Sequence, residues 1–248
     1  MISKSLIPFI TAGDPDKQST LKFLRVLDKY ADAIELGIPF TDPMADGPTI
    51  QNATKRALES NTSMEDVLHI VETFRKTSDT PIILMTYYNP VYVFGVERFV
   101  RSAACAGVDA TIVVDLPLEE SDEYLSACLE HGLENTFLAA PNTDQKRLRK
   151  IDGASGFVYL VSNFNTTGSK HCISELTFSA IKRTKNYCVK PVVVGFGISR
   201  PSHVKEIMAA GADGVVIGSA LIECIEEYRS EAGEFLEEKM KRFKEVIN

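Results

Sequence analysis

The chain has 248 residues, 44% hydrophobic and 25% charged, an ordinary globular balance with enough apolar material for a large core. Its net charge of −7 and pI near 5.2 exclude a broad basic surface for nucleic acid or anionic membrane, while leaving room for a local pocket that holds a small phosphate. Five scattered cysteines, never spaced as CxxC, read as buried, reduced thiols of a cytosolic chain; the apolar run in MISKSLIPFITAG is too short for a signal peptide, and no window approaches a membrane span.

The first predicted element is LIPFITA (6–12), a near-continuous apolar run of the kind found in strands buried on both faces. STLKFLRVLDKY follows, with Leu21, Leu24, Val26 and Leu27 largely on one side at helical spacing. AIELGI (33–38) is the second strand; after it come a long connection (38–50), a helix in TIQNATKRAL, and Ser63 opening MEDV as an S-x-x-D cap. Further strands are expected at PIILMTY (81–87), DATIVVD (109–115), NTFLAA (135–140), GFVYLVS (156–162), PVVVGFG (191–197) and DGVVIGS (213–219). Gly107, Gly132 and Gly211 stand where helices should end, and Pro201, after Arg200, where one should begin.

Eight strands alternating with eight helices, without a Pro/Ser-rich linker, predict an α/β fold in which residues 1–248 form a single (β/α)8 TIM barrel. An open doubly wound sheet would place a glycine-rich phosphate loop after the first strand, and TAGDPDK is a poor version of one. The longest connections at the C-terminal ends of strands, 38–50 and 163–173, mark the catalytic face of such a barrel.

Glu35 interrupts an apolar strand between Ile34 and Leu36. Alternation along a strand sends those aliphatics to the helix layer and Glu35 into the barrel. No predicted strand contains Lys, Arg or His, so a buried ion pair with another strand is not on offer. Loss of hydration should raise the Glu35 pKa and suit it to move protons near neutrality. Asp42 and Asp46 follow in the loop. Asp42, before Pro43, fits a turn, and Asp46, before Gly47–Pro48, fits either a helix-start role or a second carboxylate folded back over the mouth.

What is missing narrows the chemistry. No lysine stands near the C-terminal end of a strand to form a Schiff base, since Lys170 lies in a loop and Lys190 precedes its strand. His69, His131, His171 and His203 share no HxH or HExxH spacing. Metal-free acid–base chemistry is expected, with a carboxylate-only Mg²⁺ site left open. GFGIS and IGSA end the last two strands, with Gly197 and Gly218 in them; backbone amides there cradle phosphate in barrels of this kind. Close helix–strand packing is the alternative reason for those glycines. Ser219 would add a hydroxyl, and Gly168, in TTGS, a third backbone donor.

Taken together, PFITAGDPD, ELGIPFTDPMADGPTIQ, VVDLPLEES, GFGIS and IGSA resemble the α subunit family of tryptophan synthase, in order and across essentially the whole chain. The resemblance implies a barrel that cleaves indole-3-glycerol phosphate by retro-aldol chemistry to indole and glyceraldehyde 3-phosphate, with no cofactor and no metal. It implies that Glu35 protonates indole C3 and helps take the glycerol hydroxyl proton, and that Asp46 stabilises positive charge at the indole N–H. Phe9, Tyr87 and Phe196 match positions lining the indole pocket, Tyr159 a substrate-site tyrosine near the catalytic glutamate, Thr167 the residue that positions Asp46, and Gly168, Gly197, Gly218 and Ser219 the phosphate site. It further implies an αββα assembly in which indole passes to a β subunit, with Asp42, Pro43, Asn89 and Pro117 at the interface.

Two departures stand out. The sequence reaches its first strand almost at once, where the family usually has a helix first, which bears on stability. SNFNTTG replaces the family's Ser-Arg-Ser-Gly-Val-Thr-Gly, with Asn163 and Asn165 at the arginine and first glycine, which bears on turnover. Besides the lyase, the sequence leaves open a catalytically weak α chain kept as an allosteric activator of the β subunit.

Overall fold

The computed structural model describes residues 4–162, 175–195 and 197–247. Strands occupy every expected position: β1 (Ser5–Thr11), β2 (Ile34–Gly37), β3 (Ile82–Thr86), β4 (Ala110–Val113), β5 (Glu134–Thr136), β6 (Leu138–Ala139), β7 (Val158–Val161), β8 (Val192–Gly195) and β9 (Gly214–Ile217). All pairs are parallel, in the order β5-β4-β3-β2-β1-β9-β8-β7-β6. The two ends of that order, β5 and β6, are one stretch of chain parted only by Phe137. The fifth strand, expected as one run, bonds β4 with its first half and β7 with its second. At the switch the Phe137 N–H leaves the ladder and donates to Ser155 Oγ at 3.0 Å. The sheet thereby closes, and the fold is a TIM barrel.

The helices are α1 (Lys17–Leu27), α2 (Pro48–Glu59), α3 (Met64–Arg75), α4 (Tyr88–Phe94), α5 (Val96–Ala106), α6 (Asp122–His131), α7 (Gln145–Ala154), α8 (Glu175–Tyr187), α9 (Pro201–Ala209), α10 (Ser219–Tyr228) and α11 (Gly233–Ile247). The expected eight become eleven among the described residues. Three connections break at a left-handed residue: Asn61 (φ 54°), Gly95 (φ 94°) and Arg229 (φ 53°). Such a φ cannot continue a right-handed helix.

Local signals worked as physics requires. Ser63 Oγ accepts from the Asp66 N–H while Asp66 accepts from the Ser63 N–H, a complete capping box on α3. Gly107, Gly132 and Gly211 adopt positive φ at helix ends, and Pro201 opens α9 behind Arg200. The face α1 buries is centred on Thr20, Phe23, Leu24 and Leu27. Leu21 and Val26, grouped with it by spacing, are half-buried, because they flank an arc whose middle is Phe23. Cys128, Cys188 and Cys224 are buried free thiols, but Cys105 is exposed on α5, against expectation. Cys172 lies outside the described residues. Among the described residues no helix is long and apolar enough to cross a membrane.

The sheet register positions the site. Phe9 pairs with Glu35 and Glu35 with Ile83, so these side chains share the interior. Ile34 and Leu36, on the other face, have no exposure at all.

Candidate active site

Glu35 faces the C-terminal mouth of the barrel and is 1% exposed. Its Oε2 has no hydrogen-bond partner among the described residues. Burial first, and then the charge of Asp46, push its pKa from 4.5 up to about 8. At neutral pH the group is therefore a protonated acid beside a cavity.

Asp46 arrives from the loop after β2. Backbone bonds from Met44 N–H to Asp42 O (2.9 Å) and from Asp46 N–H to Pro43 O (3.1 Å) turn that loop back over the mouth. Gln51 Nε2 donates to the Asp46 carbonyl at 2.9 Å. The Tyr87 hydroxyl donates to Asp46 Oδ2 at 2.8 Å and accepts from the Ala45 N–H at 3.1 Å. Asp46 is not a helix cap, since Gly47 holds that position on α2 without a side-chain bond. Burial raises the Asp46 pKa, and the Tyr87 hydrogen bond partly opposes that rise.

Both carboxylates line one cavity of about 430 Å³, together with Phe9, Tyr159, Gly197, Gly218 and Ser219, within the usual range for a small-molecule site. Phe9 and Tyr159 occupy space that only a neighbouring glycine leaves open. A Cβ on Gly37 would stand 2.8 Å from Phe9 Cζ, and one on Gly195 would stand 2.1 Å from the Tyr159 hydroxyl oxygen. Burial first, then the charges of Glu35 and Asp46, hold the Tyr159 phenol well above its ordinary pKa.

Across the cavity, Gly197 takes φ 73°, and α10 starts at Ser219 with no side-chain cap. Its backbone bonding begins with Leu221 and Ile222, which both donate to Gly218 O. The first amides of a helix are free for an anion, and the helix dipole favours one there.

Tyr87 lies one layer behind, in a narrow space with Phe9, Thr11, Phe40 and Asp46, and reaches the cavity through Asp46. Asp42, Asn89 and Pro117 are exposed and Pro43 half-buried; they sit on the rim and do not line the cavity. Thr167, Gly168 and Phe196 lie outside the described residues. Sequence reading missed Met85, Ile50, Val216 and Ser162, which also line the cavity. Strand parity held the signal for two of them: Gly37 pairs with Met85, and Val216 pairs with Ile7 on the Phe9 side of β1. Among the described residues no cluster of three or more His, Cys, Asp or Glu is placed to hold a metal ion.

A family model described as tryptophan synthase alpha chain matches residues 2–248. The tryptophan synthase alpha chain of Pyrococcus abyssi is 50% identical over 238 residues, covering 96% of this chain and 96% of the relative. That of Thermococcus kodakarensis is 52% identical over 222 residues, covering 89% of this chain and 88% of the relative. A Pyrococcus furiosus structure, described as the basis of mutual activation of the tryptophan synthase a2b2 complex, superposes with a TM-score of 0.95 at 49% identity, covering 98% of this chain and 99% of that one. With half its residues shared along nearly its full length, on the same barrel, the chain belongs to the tryptophan synthase alpha chain family.

Proposed function

We propose that residues 1–248 work as one catalytic barrel that cleaves indole-3-glycerol phosphate to indole and glyceraldehyde 3-phosphate. The observation that carries this reading is a buried Glu35, with Oε2 unpartnered among the described residues and a pKa near 8, in the same cavity as Asp46 and the uncapped start of α10. Glu35 delivers its proton to indole C3, and the positive charge this places on the ring is stabilised at the N–H by Asp46. The bond between C3 and the glycerol carbon then breaks, its electron pair returning to the ring. The glycerol hydroxyl becomes the aldehyde, and its proton returns to the Glu35 carboxylate. The protonated ring is the electron sink, so neither a lysine nor a cofactor is needed.

Phe9 and Tyr159 sandwich the indole, and Tyr87 acts on it through Asp46. Gly197, Gly218 and Ser219 hold the phosphate, with Gly168, Thr167 and Phe196 assigned to the site by family resemblance. The partner is a β subunit in an αββα assembly, met through Asp42, Pro43, Asn89 and Pro117. Supporting this, Met44 (80% exposed) beside Asp42 and Pro43, and Tyr92 and Val93 on the helix of Asn89, present large apolar side chains to solvent on the segments assigned to that contact. The cytoplasm, where amino-acid biosynthesis proceeds, is the assigned compartment.

The test is indole release from indole-3-glycerol phosphate, with and without β subunit. Wild type should release indole, faster with the β subunit present, and Glu35→Gln should be slower by about 10²–10⁴-fold. Wild type indistinguishable from Glu35→Gln, yet still raising β-subunit activity, would leave an activator and not a lyase.

A further inference from the structure

Arg56 lies outside the cavity, in the later part of α2, and its side chain is only 13% exposed. Its guanidinium binds two carboxylates from two other elements. Nε and Nη2 donate to Asp14 Oδ1 and Oδ2 at 2.7 and 2.8 Å, and Nη1 donates to Glu226 Oε1 at 2.9 Å. Asp14 sits on the turn after β1 with its side chain fully enclosed, while Glu226 is on α10, 41% exposed.

Each of these elements carries one wall of the cavity. The chain entering α2 supplies Asp46, Gly47, Pro48 and Ile50; β1 supplies Phe9; α10 begins at Gly218 and Ser219. The turn after β1 is gripped again at the end of α2, where Ser60 Oγ donates to Gly13 O at 3.0 Å. A planar fork with fixed donor directions sets angles as well as contacts. A buried ion pair contributes little net stability over an apolar replacement, and its better-attested use is to specify one geometry.

We propose that Arg56 is a positioning residue, which by joining α2, the β1 turn and α10 through one guanidinium fixes the span between Asp46 and the anion-holding start of α10. This rests on the lyase reading above. A substrate with its ring at Asp46 and its phosphate at α10 bridges that span. An error in it misaligns the ring for proton transfer without weakening the grip on the anion.

Arg56→Ala would leave the enclosed Asp14 charge without its main partner and so risks unfolding. The test therefore uses Glu226→Ala, Glu226→Gln and Arg56→Lys in the full chain. Glu226→Ala should melt like wild type and bind inorganic phosphate like wild type. Its kcat for indole release should fall on the order of 10-fold, a part of the roughly 10²-fold that a misplacement of about 1 Å costs. Glu226→Gln, whose amide oxygen still accepts from Nη1, should regain most of that rate. Arg56→Lys should lose more, because an ammonium cannot reproduce the fork. Unchanged kcat in folded Glu226→Ala and Arg56→Lys overturns the positioning role, as does a lowered melting temperature with no change in kcat. If wild type releases no indole, the lyase reading fails and takes this role with it.

Discussion

Glu35 is held by a strand and Asp46 by a loop, and the two supports give carboxylates of different character. On β2 the backbone is locked between β1 and β3, so Glu35 can be kept dry with one oxygen unpartnered among the described residues. The loop instead gives Asp46 a hydroxyl donor from Tyr87 and a partly exposed position. Desolvation without a partner favours the neutral form; a donated hydrogen bond favours the anion. The first carboxyl is thus suited to deliver a proton and the second to face a developing positive charge.

The strongest way to break this contrast is to remove the proton carrier. Glu35→Gln should lower kcat by about 10²–10⁴-fold, the usual worth of a positioned acid–base group. Single-turnover kinetics would check this, and a loss below about 10-fold would make Glu35 a bystander.

Titration sharpens the same contrast. Below pH 4.5 Glu35 is neutral in both folded and unfolded chains; between 4.5 and about 8 only the unfolded chain releases the proton. Wild type therefore loses stability across that window, by up to about 5 kcal/mol once ionised. Glutamine has no proton to release. The melting temperature of Glu35→Gln relative to wild type should rise across the window and level off above it, and wild-type kcat should fall as pH passes about 8. A gap that stays constant with pH would mean that Glu35 is not held neutral.

The smallest effect belongs to the loop. Tyr87→Phe removes the bond that restrains the Asp46 pKa. It should cost about 10-fold in kcat, in line with one hydrogen bond to a charged group, and move the acidic limb of the pH–rate profile upward. A loss as large as that of Glu35→Gln would erase the distinction between the two supports.

Much of this architecture is legible in the sequence because apolar runs and glycine punctuation act locally. LIPFIT, IELG and GVVI became strands where they read as strands, and parity alone turned Glu35 inward. The split at Phe137 was not legible, since it depends on barrel closure and on the hydroxyl of Ser155. Nor was the break at Arg229, a residue with no intrinsic preference for left-handed backbone. In the site, Glu35 could be named from sequence because a carboxylate is unusual inside an apolar strand, and Gly197 and Gly218 because they stand just after β8 and β9; the spacing of Asp46 left a helix-start role open, and only the family resemblance singled it out. The Tyr87–Asp46 bond and the Arg56 fork could not, for they join residues 41, 42 and 170 positions apart by distances that only folding sets.

The rings of Phe9 and Tyr159 each pack directly against a glycine, Gly37 and Gly195 respectively. Each ring–glycine pair is therefore a place where bulk can be exchanged at constant total volume. Alanine at 195 with a smaller residue at 159 would shift the cavity wall sideways and leave both carboxylates in place. Such paired exchanges give a designer a route to barrels that accept ring-substituted indoles, with the acid–base machinery carried over intact.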